Sequence, residues 1–223
     1  MSTGQAQHRP VVTIAALYGA AGSTIGARVA ERLGVPWLDR AIPEAVAKRT
    51  GLTEDAVADV DEEPRTLTER LVTSLGRTST MSGGTGGSSE RLDIQERRLR
   101  AFIEQALAEA RVSGGVVLGR GGMVVLSGVP WALHVFLGGP REARVQQRMA
   151  LDGIDQRTAE ERQRTTDRAR IGYVRSAYGV DGLDPDLYHL MLDSTAIDFD
   201  TCVQLIVQAS RSRTERQPAT PAT

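Results

Sequence analysis

The sequence predicts an α/β fold, a parallel sheet in three layers with helices on both faces. Three observations carry that prediction. Short apolar runs rich in β-branched residues, at Val11–Leu17, Val116–Leu118, Trp131–Leu137 and Leu187–Leu192, alternate with helical patterns. The first run is almost continuously apolar, as strands buried on both faces are. Between that run and the next helix lies a turn of small residues, Gly19-Ala20-Ala21-Gly22-Ser23-Thr24.

Composition bounds the rest. A chain of 223 residues with 40% hydrophobic content can bury the core of one domain, or of one domain with a lid. Its net charge of −1 offers no general attraction to nucleic acid or to an anionic membrane. Lys48 is the only lysine, so arginine carries nearly all the positive charge. One cysteine, Cys202, excludes an intramolecular disulfide framework, and its apolar helical setting reads as packing rather than nucleophilic chemistry. No apolar run approaches the ~20 residues of a membrane span. His8-Arg9 before Val11–Leu17 faintly resembles a signal peptide, but the run leads into a regular amphipathic helix, and the expected location is the cytoplasm.

Taken in order, residues 1–10 are polar and expected to be loose. After the first strand and the small-residue turn, Ile25, Val29 and Leu33 recur at helical spacing, with Gly34 at the C-cap. Pro36-Trp37-Leu38 reads as a short strand ending at Asp39-Arg40. Three short helices are expected between Pro43 and Leu75. The Gly/Ser-rich stretch 76–89 is either a mobile loop over a site or a plain linker. A long helix from Glu90 to about Arg111 ends at Gly114-Gly115, and the strand Val116–Leu118 delivers Gly119-Arg120-Gly121-Gly122. Met123–Leu126 is a short helix or turn, followed by the strand Trp131–Leu137. Pro140 is expected at the first helical position of the next helix. Thr158-x-x-Glu161 reads as a capping box opening a helix to about Tyr178. The strand Leu187–Leu192 ends in Asp193-Ser194-Thr195, Asp198 or Asp200 caps a last helix, and 211–223 is expected to be a disordered tail.

The small-residue turn has the chemistry of an anion site. Small residues let the backbone approach a ligand, and a helix N-terminus adds unpaired N–H groups. A Walker loop, G-x-x-x-x-G-K-[ST], also supplies a lysine to the phosphates. Counted from Gly19 and Gly22, that position holds Ile25. The other reading is an ordinary strand-to-helix turn that needs small residues for close packing.

Ligands in such sheets collect at the carboxyl ends of the strands. There the chain would place the small-residue turn, Asp39-Arg40, Arg120 among glycines, Gly138-Gly139 and Asp193-Ser194-Thr195. A guanidinium at Arg120 could grip phosphate or carboxylate bidentately, or serve a structural ion pair. On the helix ending at Tyr178, Asp167 shares an arc with Ile171, Val174 and Tyr178. Either Asp167 pairs locally with Arg170 or Arg164, or the helix is a mobile lid bearing arginines. His134 reads as a core histidine and His189 as a surface or packing one. No HExxH, CxxC or GxSxG motif argues for a protein-ligated metal or a hydrolase nucleophile.

Together the segments YGAAGSTIG, WLDR, VVLGRGG, HVFLGGPREARVQQRM, DRARIGYVRSAYG and DPDLYHLMLDST resemble the cytidylate kinase-like family of P-loop nucleoside monophosphate kinases. The resemblance implies a P-loop kinase-type domain over 11–210, with a helical substrate-binding insertion at 40–111 and a helical lid at 150–180. It implies that Gly19, Ala20, Ala21, Gly22, Ser23 and Thr24 cradle ATP phosphates. Asp39 would lie near the acceptor and magnesium, Arg120 would grip the monophosphate, and Asp167 and Arg170 would form the lid's D-x-x-R contact with the acceptor. Arg144 and Arg148 match the helix leading into the lid, on the ATP side. The activity implied is transfer of the ATP γ-phosphate to a monophosphate such as CMP or dCMP, with magnesium held by the nucleotide phosphates. The alternative is a nucleotide-binding sensor or regulatory protein without turnover.

Overall fold

The computed structural model describes residues 8–38, 107–119 and 121–216. Four parallel strands, β1 (Val11–Ala16), β2 (Gly115–Leu118), β3 (Ala132–Gly138) and β4 (Leu190–Asp193), form a sheet in the order β2-β1-β3-β4. Val11 stands level with Gly115 on one side and Ala132 on the other. Trp37 makes a single parallel bridge to Val116 beyond β2, so the strand expected at Pro36–Leu38 is present only as that bridge. The expected helices from Pro43 to Leu75, the Gly/Ser stretch, Asp39 and Arg120 lie outside the described residues. Of the expected long helix, residues 107–113 are described, and they are helical.

Alternation along the strands explains the three layers. Val12, Ile14, Leu133, Val135 and Leu137 face α1 (Gly22–Leu33) and α5 (Phe199–Glu215), packing with Ile25, Val29, Cys202 and Ile206. Val11, Val117 and Ala132 face the other way, onto Leu107, Ala110, Leu126 and Val129. Both faces are covered, which is why β1 is apolar at nearly every position rather than at alternate ones. Cys202 is fully buried in this core, and burial raises its thiol pKa, as a packing role requires.

Several local expectations are corrected. After α2 (Gly122–Val125) and β3, Pro140 is the N-cap of α3 (Arg141–Asp152) rather than its first residue. Its ψ of 142° is extended, and its carbonyl takes the first helical bond from Arg144 N–H. The helix read as opening at Thr158 begins earlier, as α4 (Gln156–Tyr178). Asp155 caps it, one carboxylate oxygen accepting from Thr158 N–H at 3.0 Å and the other from the Thr158 hydroxyl at 2.7 Å. A carboxylate outcompetes a threonine there because it accepts twice and complements the helix dipole. Asp198 caps α5 by the same Asp-x-x-Thr arrangement with Thr201, while Asp200 instead pairs with Arg28. The run Leu187–Leu192 divides into a 3-10 turn, Pro185–Leu187, and the shorter β4, because Asp184 caps Asp186 N–H and turns the chain. Finally, α5 continues to Glu215, into the stretch expected to be a loose tail; the last seven residues lie outside those described.

Candidate functional site

The small-residue turn leaves β1 at the carboxyl edge of the sheet and becomes α1 at Gly22. Its conformation is held from outside, carbonyl by carbonyl. Ala16 C=O accepts from Arg170 Nη1 at 2.8 Å, and Tyr18 C=O from Arg144 Nη1 at 2.6 Å. Gly19 C=O accepts from Gln147 Nε2 at 2.8 Å, and Ala20 C=O from the Ser194 hydroxyl at 2.8 Å. Leu17 C=O closes the turn on Ala20 N–H. Gly19 has a φ of 81° and lies against the α3 backbone, where any Cβ would collide with the Arg144 carbonyl oxygen. Ala21 is the only non-glycine among the described residues with positive φ, 53°. Such a backbone costs on the order of 1 kcal/mol and persists only where its surroundings impose it.

The outcome is a row of backbone donors. The N–H groups of Gly19, Ala21, Gly22, Ser23 and Thr24 have no hydrogen-bond acceptor among the described residues. Ser23 and Thr24 are exposed, at the start of α1. Unpaired N–H groups at a helix N-terminus in a tight turn suit a phosphate.

No lysine stands among residues 19–24. Ile25, at the motif's lysine position, is the fourth residue of α1 and fully buried in the core. The first residue of α1, Gly22, has no room for a side chain, since a Cβ there would lie 2.6 Å from Ala16 Cβ and 3.1 Å from Leu118 Cδ1.

Of the charged residues expected to serve the loop, Arg144, Arg148, Asp167 and Arg170 are described, each with protein partners. Asp167 pairs neither with Arg170 nor with Arg164 but with Arg144 of α3, at 2.9 Å, and its second oxygen accepts from Tyr18 N–H at 2.7 Å. Arg144 is buried, and its Nε also donates to Gly139 C=O at 3.0 Å. Arg148 pairs with Asp152 at 2.6 Å and lies over the Tyr18 ring, 5.5 Å from its centre. Asp193 turns onto Thr195, whose hydroxyl and N–H hold its carboxyl below the ordinary value. Farther along α4, the Tyr178 ring rests against Gly121, beside the position of Arg120. Sequence reasoning missed Gln147 and assigned Ser194 no role. Gln147 was findable three residues after Arg144 on one helix face, and Ser194 directly after a strand's carboxyl end. Among the described residues no three His, Cys, Asp or Glu side chains are grouped to hold a metal, and no helix is long and apolar enough to cross a membrane.

A parallel sheet with a small-residue turn running from its central strand into a helix N-terminus, backed by two arginine-bearing helices, defines a P-loop kinase-type domain. Solved structures agree on the fold. An uncharacterized protein from Eubacterium ventriosum superposes at a TM-score of 0.62 with 18% identity, over 92% of this chain and 99% of that one. The protein TT1252 from Thermus thermophilus gives 0.52 with 19% identity, over 95% and 100%. Shikimate kinase from Acinetobacter baumannii gives 0.50 with 16% identity, over 92% and 95%. Residues 11–196 match the cytidylate kinase-like family, and the chain belongs to that family. It is also 28% identical over 102 residues to a uronate isomerase of Corynebacterium glutamicum; that match takes in 46% of this chain and spans a fifth, 20%, of the isomerase.

Proposed function

We propose that the loop binds the phosphates of a nucleoside triphosphate, and that the protein transfers the γ-phosphoryl group to a nucleoside monophosphate of the CMP or dCMP kind. The observation that carries this reading is the row of unpaired N–H groups at Gly19, Ala21, Gly22, Ser23 and Thr24. They fit a polyphosphate because they are donors only, held in place before any ligand arrives. In the transfer, a bond forms from the acceptor's phosphate oxygen to the γ-phosphorus, and the bond to the leaving β-phosphate oxygen breaks. The protein positions the two ends and neutralises charge; little covalent chemistry falls to it. Magnesium carried on the nucleotide phosphates would supply further positive charge. Arg170, at the base of the loop, and Arg120, next to Gly121, are assigned the charge that a lysine gives elsewhere. Asp39 is assigned to the acceptor side. The expected setting is the cytoplasm, where these nucleotides are.

A second reading is favoured by a specific observation. Residues 19–24 hold no lysine, while Arg144 and Arg148 are engaged with protein partners. A domain so built could bind nucleotide as a sensor and not turn it over. A coupled assay with ATP and a panel of monophosphates, beside calorimetry of ATP binding, separates the two. Turnover that falls at least tenfold in Arg120→Ala supports the kinase. ATP binding with no turnover above that variant leaves the sensor.

A further inference from the structure

We infer that Arg144, held by Asp167, is a positioning residue that aims the loop's N–H groups, and is not itself a phosphate contact; this rests on the phosphate reading of the loop. Both polar groups of the Tyr18 backbone end on this one ion pair. Tyr18 N–H donates to Asp167 Oδ1 at 2.7 Å, and Tyr18 C=O accepts from Arg144 Nη1 at 2.6 Å. The same Nη1 donates to Asp167 Oδ2 at 2.9 Å, and Nε donates to Gly139 C=O at 3.0 Å. Its side chain is only 7% exposed, and its Nε and Nη1 are spent on the protein.

Peptide geometry turns that grip into a function. In a planar trans peptide the C=O and the following N–H point in opposite directions. Arg144, by holding Tyr18 C=O toward α3, turns Gly19 N–H away from α3. Ser194 does the same one step on, since its hold on Ala20 C=O directs Ala21 N–H the other way. Gly19 and Ala21 are two of the loop donors left without an acceptor. The backbone at Gly139 is tied to the loop through Arg144 as well, so α3, α4 and the loop meet at this one side chain. A lysine could not stand in, because a single ammonium on a flexible stem cannot reproduce the planar fork that reaches Gly139, Tyr18 and Asp167 together.

The test is amide NMR on the full ¹⁵N-labelled chain, with inorganic triphosphate as the probe, on wild type, Arg144→Lys, Arg144→Met and Arg157→Met. Arg157 is exposed on the same helix as Asp167 and controls for lost charge. In wild type, triphosphate is expected to shift the Gly19 and Ala21 amides. Both Arg144 variants are expected to raise the Kd about tenfold or more, to lose the Gly19 shift, and to speed hydrogen exchange at Tyr18 N–H in the free protein. Arg157→Met is expected to behave as wild type. Arg144→Lys keeps the charge and tests the idea even where Arg144→Met does not fold. Wild-type affinity with the full Gly19 shift in Arg144→Lys would overturn the positioning role and leave the phosphate reading standing. No amide shift in wild type would overturn the phosphate reading, and the positioning role with it.

Discussion

At the scale of single residues the site depends on what is small. Gly22 is glycine because Ala16 and Leu118 occupy the space a Cβ would need. Gly22→Ala is therefore expected to destabilise the protein by about 1–3 kcal/mol, read by urea unfolding, and to weaken triphosphate binding. Ile25 invites a repair that would fail. Ile25→Lys restores a lysine where the motif count asks for one, but position 25 is fully buried among apolar side chains. The expected outcome is a loss of about 3 kcal/mol or more in stability and no gain in ATP turnover. A stable Ile25→Lys variant with raised turnover would refute the assignment of this side chain to the core. Motif counting names the position of Ile25 but not its surroundings, because spacing along a chain carries no information on which way a side chain faces.

Among elements, the helix termini show how caps are chosen. Asp155 and Asp198 each cap a helix through an Asp-x-x-Thr pair, and in each case the threonine's hydroxyl and N–H lower the carboxyl pKa. The lowered value means stability that is present above the ordinary carboxyl pKa of 3.8 and lost as the pH falls through the folded value. Asp198→Ala is expected to lower Tm at pH 7, and Asp198→Asn to retain most of the wild-type Tm, because asparagine also caps well. Equal Tm for all three proteins would remove the cap from the account. Strand and helix identities for β1, α1, β3 and α4 were readable from apolar runs and helical periodicity. Their ends were less so, since Thr158 and Asp155, or Asp200 and Asp198, are equally good capping residues by type and only the path of the chain selects one.

For the whole molecule the most informative polar feature lies in the sheet away from the loop. His134 of β3 is level with Thr13 of β1, whose hydroxyl lies 2.8 Å from His134 Nδ1. Its ring stacks on His189 at 4.8 Å, and His189 Nδ1 accepts from His134 N–H at 2.9 Å. Burial, then the nearby charges of His189 and Arg213, hold the His134 pKa down to about 4. The unfolded chain takes up that proton near pH 6.5, whereas the folded one does so only near 4. Stability is thus complete above pH 6.5 and declines as the pH falls toward 4, by on the order of 3 kcal/mol from this group. Urea unfolding at pH 7 and pH 4.5 is expected to show the decline in wild type and a smaller one in His134→Gln; parallel curves would exclude His134 as its source.

Sequence alone determined the layers and the place of the small-residue turn. Apolar runs alternating with amphipathic helices can bury their surface only as a covered parallel sheet, and a small-residue turn between the first strand and helix sets unpaired N–H groups at its edge. Tertiary structure alone decided which groups hold that turn. Asp167 bonds Tyr18 and Arg144, residues 149 and 23 positions away, and Ser194 reaches Ala20 across 174. Charge and periodicity on one helix name neighbours at three or four residues, and these partners meet only because separate strands and helices end at the same edge of the sheet.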